Sequence, residues 1–433
     1  MELYDLLNKT QRYISEHYSA ALIDSSKGNE LKAYIGKYLY DTGHTVAGYD
    51  RNALIERLYC EMAEYSILTK YLKDPDVEEI NVNGWDDVAI THLDGHIEKS
   101  KEYFFTPGHA VDVVKKLLQH SGMIIDNATP IAQGHLPNNT RITALKEPIV
   151  DADRGIAVSI RMLHPARVDR NMLLKTESIS AEMLCFLETC LRYGVSFVVA
   201  GRTSSGKTTL LNSLLSSIPD GKRIYTIESG ARELSLIKRD SYGRIVNNVV
   251  HTLSRPSDNP SYDITQEDLV MAALRFDPDV ICVGEMRDKE AHSAVEASST
   301  DHTVVTTVHG GGGKYAHRRI AFLSQRRFPI DMRISLQQAA LAFPIVVFAH
   351  KLEDNRRKVM DITECIVHDD GELEYRTLYR YQIHSNEYKD GAFSINGEFI
   401  KENVLSTNLR QKLMRGGVPE ELLRAFEKGG KTQ

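Results

Sequence analysis

Cysteine is scarce in this chain: five residues in 433, namely Cys60, Cys185, Cys190, Cys282 and Cys365. An odd count with no Cys-x-x-Cys spacing argues against a disulfide framework or a zinc site, and for buried, reduced thiols in the cytosol. Long apolar runs are missing as well. No stretch approaches the roughly 20 residues that span a bilayer. The first residues, Met1-Glu-Leu-Tyr-Asp5, have neither the basic start nor the apolar core of a signal peptide. A cytoplasmic protein is expected, with any membrane contact peripheral. Neither sign of charge dominates. Lys+Arg 53 against Asp+Glu 59 gives a formal charge of -6, which excludes a chain-wide grip on nucleic acid and leaves only local basic patches.

What is present is the make-up of a globular protein, 42% hydrophobic and 26% charged, over a length that suits two or three domains. Residues 1–69 carry apolar side chains at helical spacing, for instance Leu6, Leu7, Tyr13 and Ile14, then Leu54, Leu58, Met62 and Ile67, and predict a helical segment. The texture changes at Asp74-Pro75. Short runs closed by turns at 80–84, 88–95 and 156–161, with a helix near 109–121, predict an α+β domain over 70–162 with a mostly antiparallel sheet. Residues 163–176 read as a polar linker. From 177 to 433 apolar runs alternate with helical patterns, which predicts an α/β domain with a largely parallel, doubly wound sheet and a C-terminal extension.

The most informative stretch is Gly201-Arg202-Thr203-Ser204-Ser205-Gly206-Lys207-Thr208-Thr209. It follows an apolar run that reads as a buried strand and leads into a helical pattern. Glycines let such a loop wrap closely, so that its N–H groups and the helix N-terminus converge on an anion. Lys207 is placed to reach the β- and γ-phosphates, and the Thr208 hydroxyl to bind Mg²⁺. The chain is expected to bind ATP or GTP.

Hydrolysis needs groups that orient a water and meet the charge on the terminal phosphate. In open α/β sheets these emerge from the carboxyl ends of neighbouring strands. Glu228, Glu285 and His309 each end an apolar run. Glu285 is assigned to positioning and activating the attacking water. The second nucleotide motif ordinarily has an Asp where this chain has Gly284, so Glu285 or Glu228 is expected in the outer sphere of the ion. His309 is assigned to sensing the γ-phosphate. An arginine should complete the site; the candidates are Arg161, Arg255, Arg275 and Arg287.

Taken in order, these motifs resemble the hexameric secretion ATPases of bacterial type II and type IV secretion systems, in the branch serving tight-adherence pili and conjugative transfer. Arg223-Ile-Tyr-Thr-Ile-Glu228-Ser229-Gly-Ala-Arg-Glu233-Leu is similar to the family's acidic box. Residues 264–287, ending Gly284-Glu285-Met-Arg287, resemble its second nucleotide motif, and Asp301-His302-Thr-Val-Val-Thr306-Thr307-Val-His309 its histidine box. Asp74 to Gly84, and Leu136-Pro137 with Arg141, resemble its sensor-like N-terminal domain. The resemblance covers about residues 70 to 365. It implies a RecA-like P-loop core, ATP as the nucleotide, a homohexameric ring and an inner-membrane platform as partner, with no sequence-specific nucleic acid. It also places Arg161 near the joint of the two domains as a nucleotide-contacting arginine. Two departures stand out. Ser229 occupies a position where many relatives have a second acid, and Gly310 to Gly313 replace small polar residues, which implies a looser loop. A helicase-like motor and an assembly scaffold with little turnover are the alternative activities.

Overall fold

The computed structural model describes residues 1–19, 27–136, 140–162, 169–230, 232–255, 257, 259–389 and 392–428. The chain forms two compact units, Met1–Leu163 and His164–Gln433. The first six residues of the expected linker lie outside the described residues, as does Pro137.

The first unit begins with α1 (Leu3–His17), α2 (Gly28–Thr42) and α3 (Arg51–Ala63). Their apolar stripes close on one another, burying Leu6, Ile14, Leu31, Ile35, Leu54 and Leu58. Asp50 starts α3 by accepting from the Ala53 amide at 2.8 Å, which satisfies one orphan donor of the first turn. After α4 (Leu68–Lys73) come β1 (Val77–Gly84), β2 (Asp87–His92), β3 (Ile97–Lys99), α5 (Pro107–Gln119), β4 (Ile131–His135), β5 (Arg141–Lys146) and β6 (Ile156–Arg161). The strands form a six-stranded sheet in the order β3-β2-β1-β6-β5-β4, with every pair antiparallel. Alternation along the strands turns Ile80, Val82, Val88, Ile90, Ile142, Val158 and Ile160 toward Val114 and Leu118 of α5. The opposite face is polar. There Arg161 stands between Glu79 of β1 and Arg141 of β5.

The second unit runs α6 (Arg170–Lys175), α7 (Ala181–Arg192), β7 (Phe197–Gly201), α8 (Lys207–Ser216), β8 (Arg223–Ser229), β9 (Asn248–Ser254), α9 (Gln266–Ala273), β10 (Val280–Val283), α10 (Glu290–Ser299), β11 (Thr303–His309), α11 (Lys314–Ser324), α12 (Met332–Ala342), β12 (Ile345–Lys351), β13 (Arg357–Val367), β14 (Leu373–Lys389), β15 (Ala392–Lys401), α13 (Thr407–Arg415) and α14 (Glu420–Glu427). Nine strands make one sheet in the order β15-β14-β13-β12-β7-β11-β10-β8-β9. The six strands from β12 to β9 are parallel, and β13, β14 and β15 add antiparallel hairpins at one edge.

The unbroken apolar runs have a simple cause. β7 and β10 are buried along their whole length, because α7 and α8 cover one face of the sheet and α9 to α12 the other. The expected α/β class, with a RecA-like core, is what the chain adopts: β7, which carries the phosphate-loop sequence, is separated from β10 by β11. Thr265 and Asp268 form a reciprocal cap that starts α9. Among the described residues no helix is long and apolar enough to cross a membrane.

Candidate nucleotide-binding site

β7 ends at Gly201 because nothing larger fits. A Cβ there would lie 2.3 Å from the Ala349 carbonyl oxygen of β12 and 2.5 Å from Ser205 Oγ. The chain then turns through Ser204 (φ 61°) and Gly206 (φ 88°), two residues in the left-handed region within three positions. Such a turn makes successive N–H groups converge into an anion-binding concavity. Gly206 caps α8 with no side-chain acceptor, so the first amides of the helix are left for a ligand. Lys207 is buried, and its ammonium donates across the loop to the Arg202 carbonyl at 2.9 Å. Ser205 Oγ is buried and finds no partner. Thr208 and Thr209 are half-buried on the first turn of α8. This is a concentration of donors, one of them cationic, around a loop with no acidic side chain: the donor set a polyphosphate satisfies.

The fit to Mg²⁺ follows from chemistry. Mg²⁺ retains waters and takes one or two protein oxygens beside substrate phosphates, and the Thr208 hydroxyl suits that role. Among the described residues no group of three His, Cys, Asp or Glu could hold a cation without a phosphate.

Three polar side chains emerge at the carboxyl ends of β8, β10 and β11, on the same sheet as this loop. Glu228, at the end of β8, is 4% exposed. Its Oε1 accepts from the amides of Glu233 and Leu234 at 2.7 and 2.9 Å, while Oε2 is buried without a partner. Burial pushes its carboxyl up to about 7, against the pull of those two amides. Gly284 continues β10 and donates to the Ile227 carbonyl at 2.8 Å. A Cβ on Gly284 would stand 3.3 Å from Glu228 Cγ. The stem of Glu228 therefore fills the space that an Asp in the second nucleotide motif would need.

Glu285 follows. Its Oε1 is 2.9 Å from His309 Nε2, and its Oε2 pairs with the Arg287 guanidinium. Met286 N donates to the Thr307 carbonyl at 2.9 Å and Thr307 Oγ1 to the Gly284 carbonyl at 2.8 Å, clamping β10 to β11. His309 lies opposite Gly201 in the ladder between β11 and β7. Its imidazole is held below the usual range by desolvation, which outweighs the opposing effect of Glu285; Lys207 and Arg287 push the same way as burial.

The phosphate loop, Glu285 and His309 thus come together at the carboxyl edge of one sheet, with Glu228 one strand further on. Of the arginine candidates, Arg287 joins the cluster. Arg255 instead donates to the Tyr262 carbonyl at 3.3 Å, and Arg275 is exposed on the surface. Arg161 belongs to the first unit, half-buried on the polar face of β6. The glycine tract is tighter than its composition implies, since a Cβ at Gly312 would lie 2.7 Å from Phe348 Cβ. A cavity of about 490 Å³ is lined by Arg202, Thr203, His309, Gly310, Gly311, Phe348 and His350. Sequence reasoning missed Arg357, whose Nε donates to the Ser204 carbonyl at 3.0 Å from 153 residues away. No local motif could have announced it.

The chain is 31% identical to the type IV secretion system protein PtlH of Bordetella pertussis, over 41% of this chain and 52% of that one. It is 26% identical to Rv3659c of Mycobacterium tuberculosis, a protein named for conjugal transfer, over 70% of this chain and 85% of that one. Among solved structures, the ATPase DotB of Legionella pneumophila aligns over 84% of this chain and 88% of its own, at 17% identity and a TM-score of 0.47. The chain spans about a third to a half of the length of several other curated relatives. The family model for type II/IV secretion system proteins matches residues 61–365, well over half of the sequence, and the chain belongs to that family.

Proposed function

We propose that this protein hydrolyses ATP at the 201–209 loop and, as a ring of copies docked at the cytoplasmic face of a membrane platform, drives pilus assembly or the export of protein or DNA. The observation that carries the reading is the meeting of a donor-rich phosphate loop with Glu285 and His309 at one sheet edge. Lys207 would balance the charge of the β- and γ-phosphates. Thr208 would hold Mg²⁺, which when bound offsets charge on the phosphate oxygens.

Glu285 is the base that orients and deprotonates the attacking water. Its Oε1 is the oxygen now beside His309, so a water can take that place only when the imidazole swings away. The γ-phosphate offers the ring a new partner, which makes His309 a sensor of occupancy. Arg287 keeps the other carboxylate oxygen fixed meanwhile. Glu228, held by two amides, shapes the neighbouring strand end, and Arg161 is assigned the nucleotide-contacting role that the resemblance implies. The remaining loop residues, Gly201 to Thr203, Ser205 and Thr209, form the cradle.

The experiment is an ATPase assay on the full chain and on Glu285→Gln. The variant should still bind a fluorescent ATP analogue while turnover falls about 10²–10⁴-fold, the range for loss of a general base. Single-stranded DNA should leave the wild-type rate unchanged. A wild-type chain that binds no nucleotide, or a Glu285→Gln variant with full turnover, would sink the proposal.

A further inference from the structure

One arginine outside every motif touches the phosphate loop. Arg357 opens β13, and its Nε donates to the Ser204 carbonyl at 3.0 Å. Its stem packs on the same loop, for a Cβ built on Gly206 would sit 3.4 Å from Arg357 Cδ. Ser204 has φ 61°, a left-handed conformation that residues other than glycine adopt at a cost and keep only where their surroundings hold them.

The strand presenting Arg357 is itself anchored. Arg357 pairs with Lys351 in the β12–β13 ladder. The next residue, Lys358, is 1% exposed and lies over the rings of Tyr381 and Phe399 at 5.3 and 5.8 Å, with its ammonium donating to the Glu177 carbonyl. One residue further, Val359 N donates to the Ser178 carbonyl at 2.8 Å. Arg357 therefore reaches the loop from a fixed platform.

We propose that Arg357 is a positioning residue of the phosphate loop: it holds Ser204 left-handed, so that the Ser204 carbonyl faces the guanidinium and the loop amides face the anion. The inference rests on the reading of this loop as the nucleotide site. Arg357 acts through the backbone of Ser204 and not on the reacting phosphorus. Its loss should therefore weaken nucleotide binding and spare the chemical step.

The test uses Arg357→Ala and Arg357→Lys, each alone and combined with Ser204→Gly. Kd for a fluorescent ATP analogue with Mg²⁺, KM and kcat are the readouts, and thermal melting checks that each variant is folded. Arg357→Met, which keeps the stem against Gly206 and loses the donor, replaces Arg357→Ala should that variant not fold. Arg357→Ala should raise Kd and KM about tenfold, equivalent to ~1.4 kcal/mol, with kcat within about twofold. Arg357→Lys should behave alike, because lysine has no N–H at the position of Nε. In the Ser204→Gly background the loss should shrink to about twofold or less, because glycine takes a positive φ without a hold. Unchanged Kd in Arg357→Ala, full rescue by Arg357→Lys, or an equal loss in the Ser204→Gly background would each overturn the inference. A wild-type chain that binds no nucleotide removes both readings; wild-type binding that survives Arg357→Ala intact removes this one alone.

Discussion

His309 Nε2 lies 2.9 Å from Glu285 Oε1, joining the ends of β11 and β10 through one imidazole–carboxylate contact. Because Arg287 pairs with the other oxygen, the carboxylate is held on that side and faces the imidazole on the other. In the role proposed for Glu285, this arrangement would leave little to rearrange beyond the swing of the imidazole.

The two partners should therefore fail differently on mutation. Glu285→Gln removes the base and should cost about 10²–10⁴ in kcat. His309→Ala removes only the proposed gate, leaves Glu285 paired with Arg287 alone, and should cost about tenfold in kcat with Kd for ATP nearly unchanged. Steady-state kinetics with a separate nucleotide titration measure both. Equal losses in the two variants would mean that His309 takes part in chemistry and is more than a gate.

Glu228 makes a pH prediction. Its carboxyl is raised to about 7 by burial, above the ordinary value, so the native state binds this proton more tightly than the unfolded chain. The stability it contributes is fully present below pH about 4.5 and is lost as pH rises toward 7. Glu228→Gln should abolish that loss. Urea unfolding at pH 5 and pH 8 should show wild type falling by up to about 3 kcal/mol more than the variant, since each pKa unit corresponds to 1.36 kcal/mol. Parallel behaviour of the two proteins would place the ionised carboxylate in a better-solvated setting.

Gly201 and Gly284 are fixed by their neighbours. Gly201→Ala would drive a methyl to within 2.3 Å of a backbone oxygen of β12. The clash cannot be relieved by a rotamer and should cost about 1–3 kcal/mol, as overpacking does, along with nucleotide binding. Gly284→Ala meets the flexible stem of Glu228 at 3.3 Å; it should melt within a few degrees of wild type, yet flatten the pH dependence just described by displacing that carboxylate. Thermal melts of both variants across pH 5–8 test the pair.

Much of this was readable along the chain because its signals are local. The loop at 201–209 has its residue types consecutively, and the apolar runs before Glu228, Glu285 and His309 are continuous because both faces of their strands are covered. Where contacts are long-range, the sequence is silent. Nothing near Arg357 announces that it meets Ser204. Gly284 reads as a missing acid until the Glu228 side chain is seen filling that space. The pairing of Glu285 with His309 depends on β10 and β11 being neighbours, a fact of topology. β14 and β15 of the C-terminal extension lie at the sheet edge with mixed, partly exposed faces, and so lack the buried-strand pattern that marks the core.

Glu61 decides how the N-terminal helices join the rest of the first unit. Its side chain is fully buried, 2.7 Å from Arg57 Nη2, 3.2 Å from His109 Nε2 and accepting from Ser66 Oγ at 2.7 Å. Arg57 and Glu61 belong to α3, His109 to α5 against the sheet, and Lys116 of α5 adds donations to the carbonyls of Met62 and Glu64. The cluster therefore ties the helical segment to the α+β fold by buried polar contacts. Glu61→Ala leaves the Arg57 guanidinium buried and short of its closest partner, with Glu102 at 3.9 Å the nearest alternative. Breaking a buried pair from one side costs several kcal/mol, and about 3 kcal/mol is expected here. Arg57→Ala with Glu61→Ala removes the stranded charge and should cost less than the sum of the single changes. Urea unfolding of the three variants measures the coupling. Limited proteolysis adds a spatial readout: if residues 1–69 fold as a segment of their own, Glu61→Ala should open cleavage near residue 65 while the sheet stays protected, whereas loss of both together would make helices and sheet a single cooperative unit.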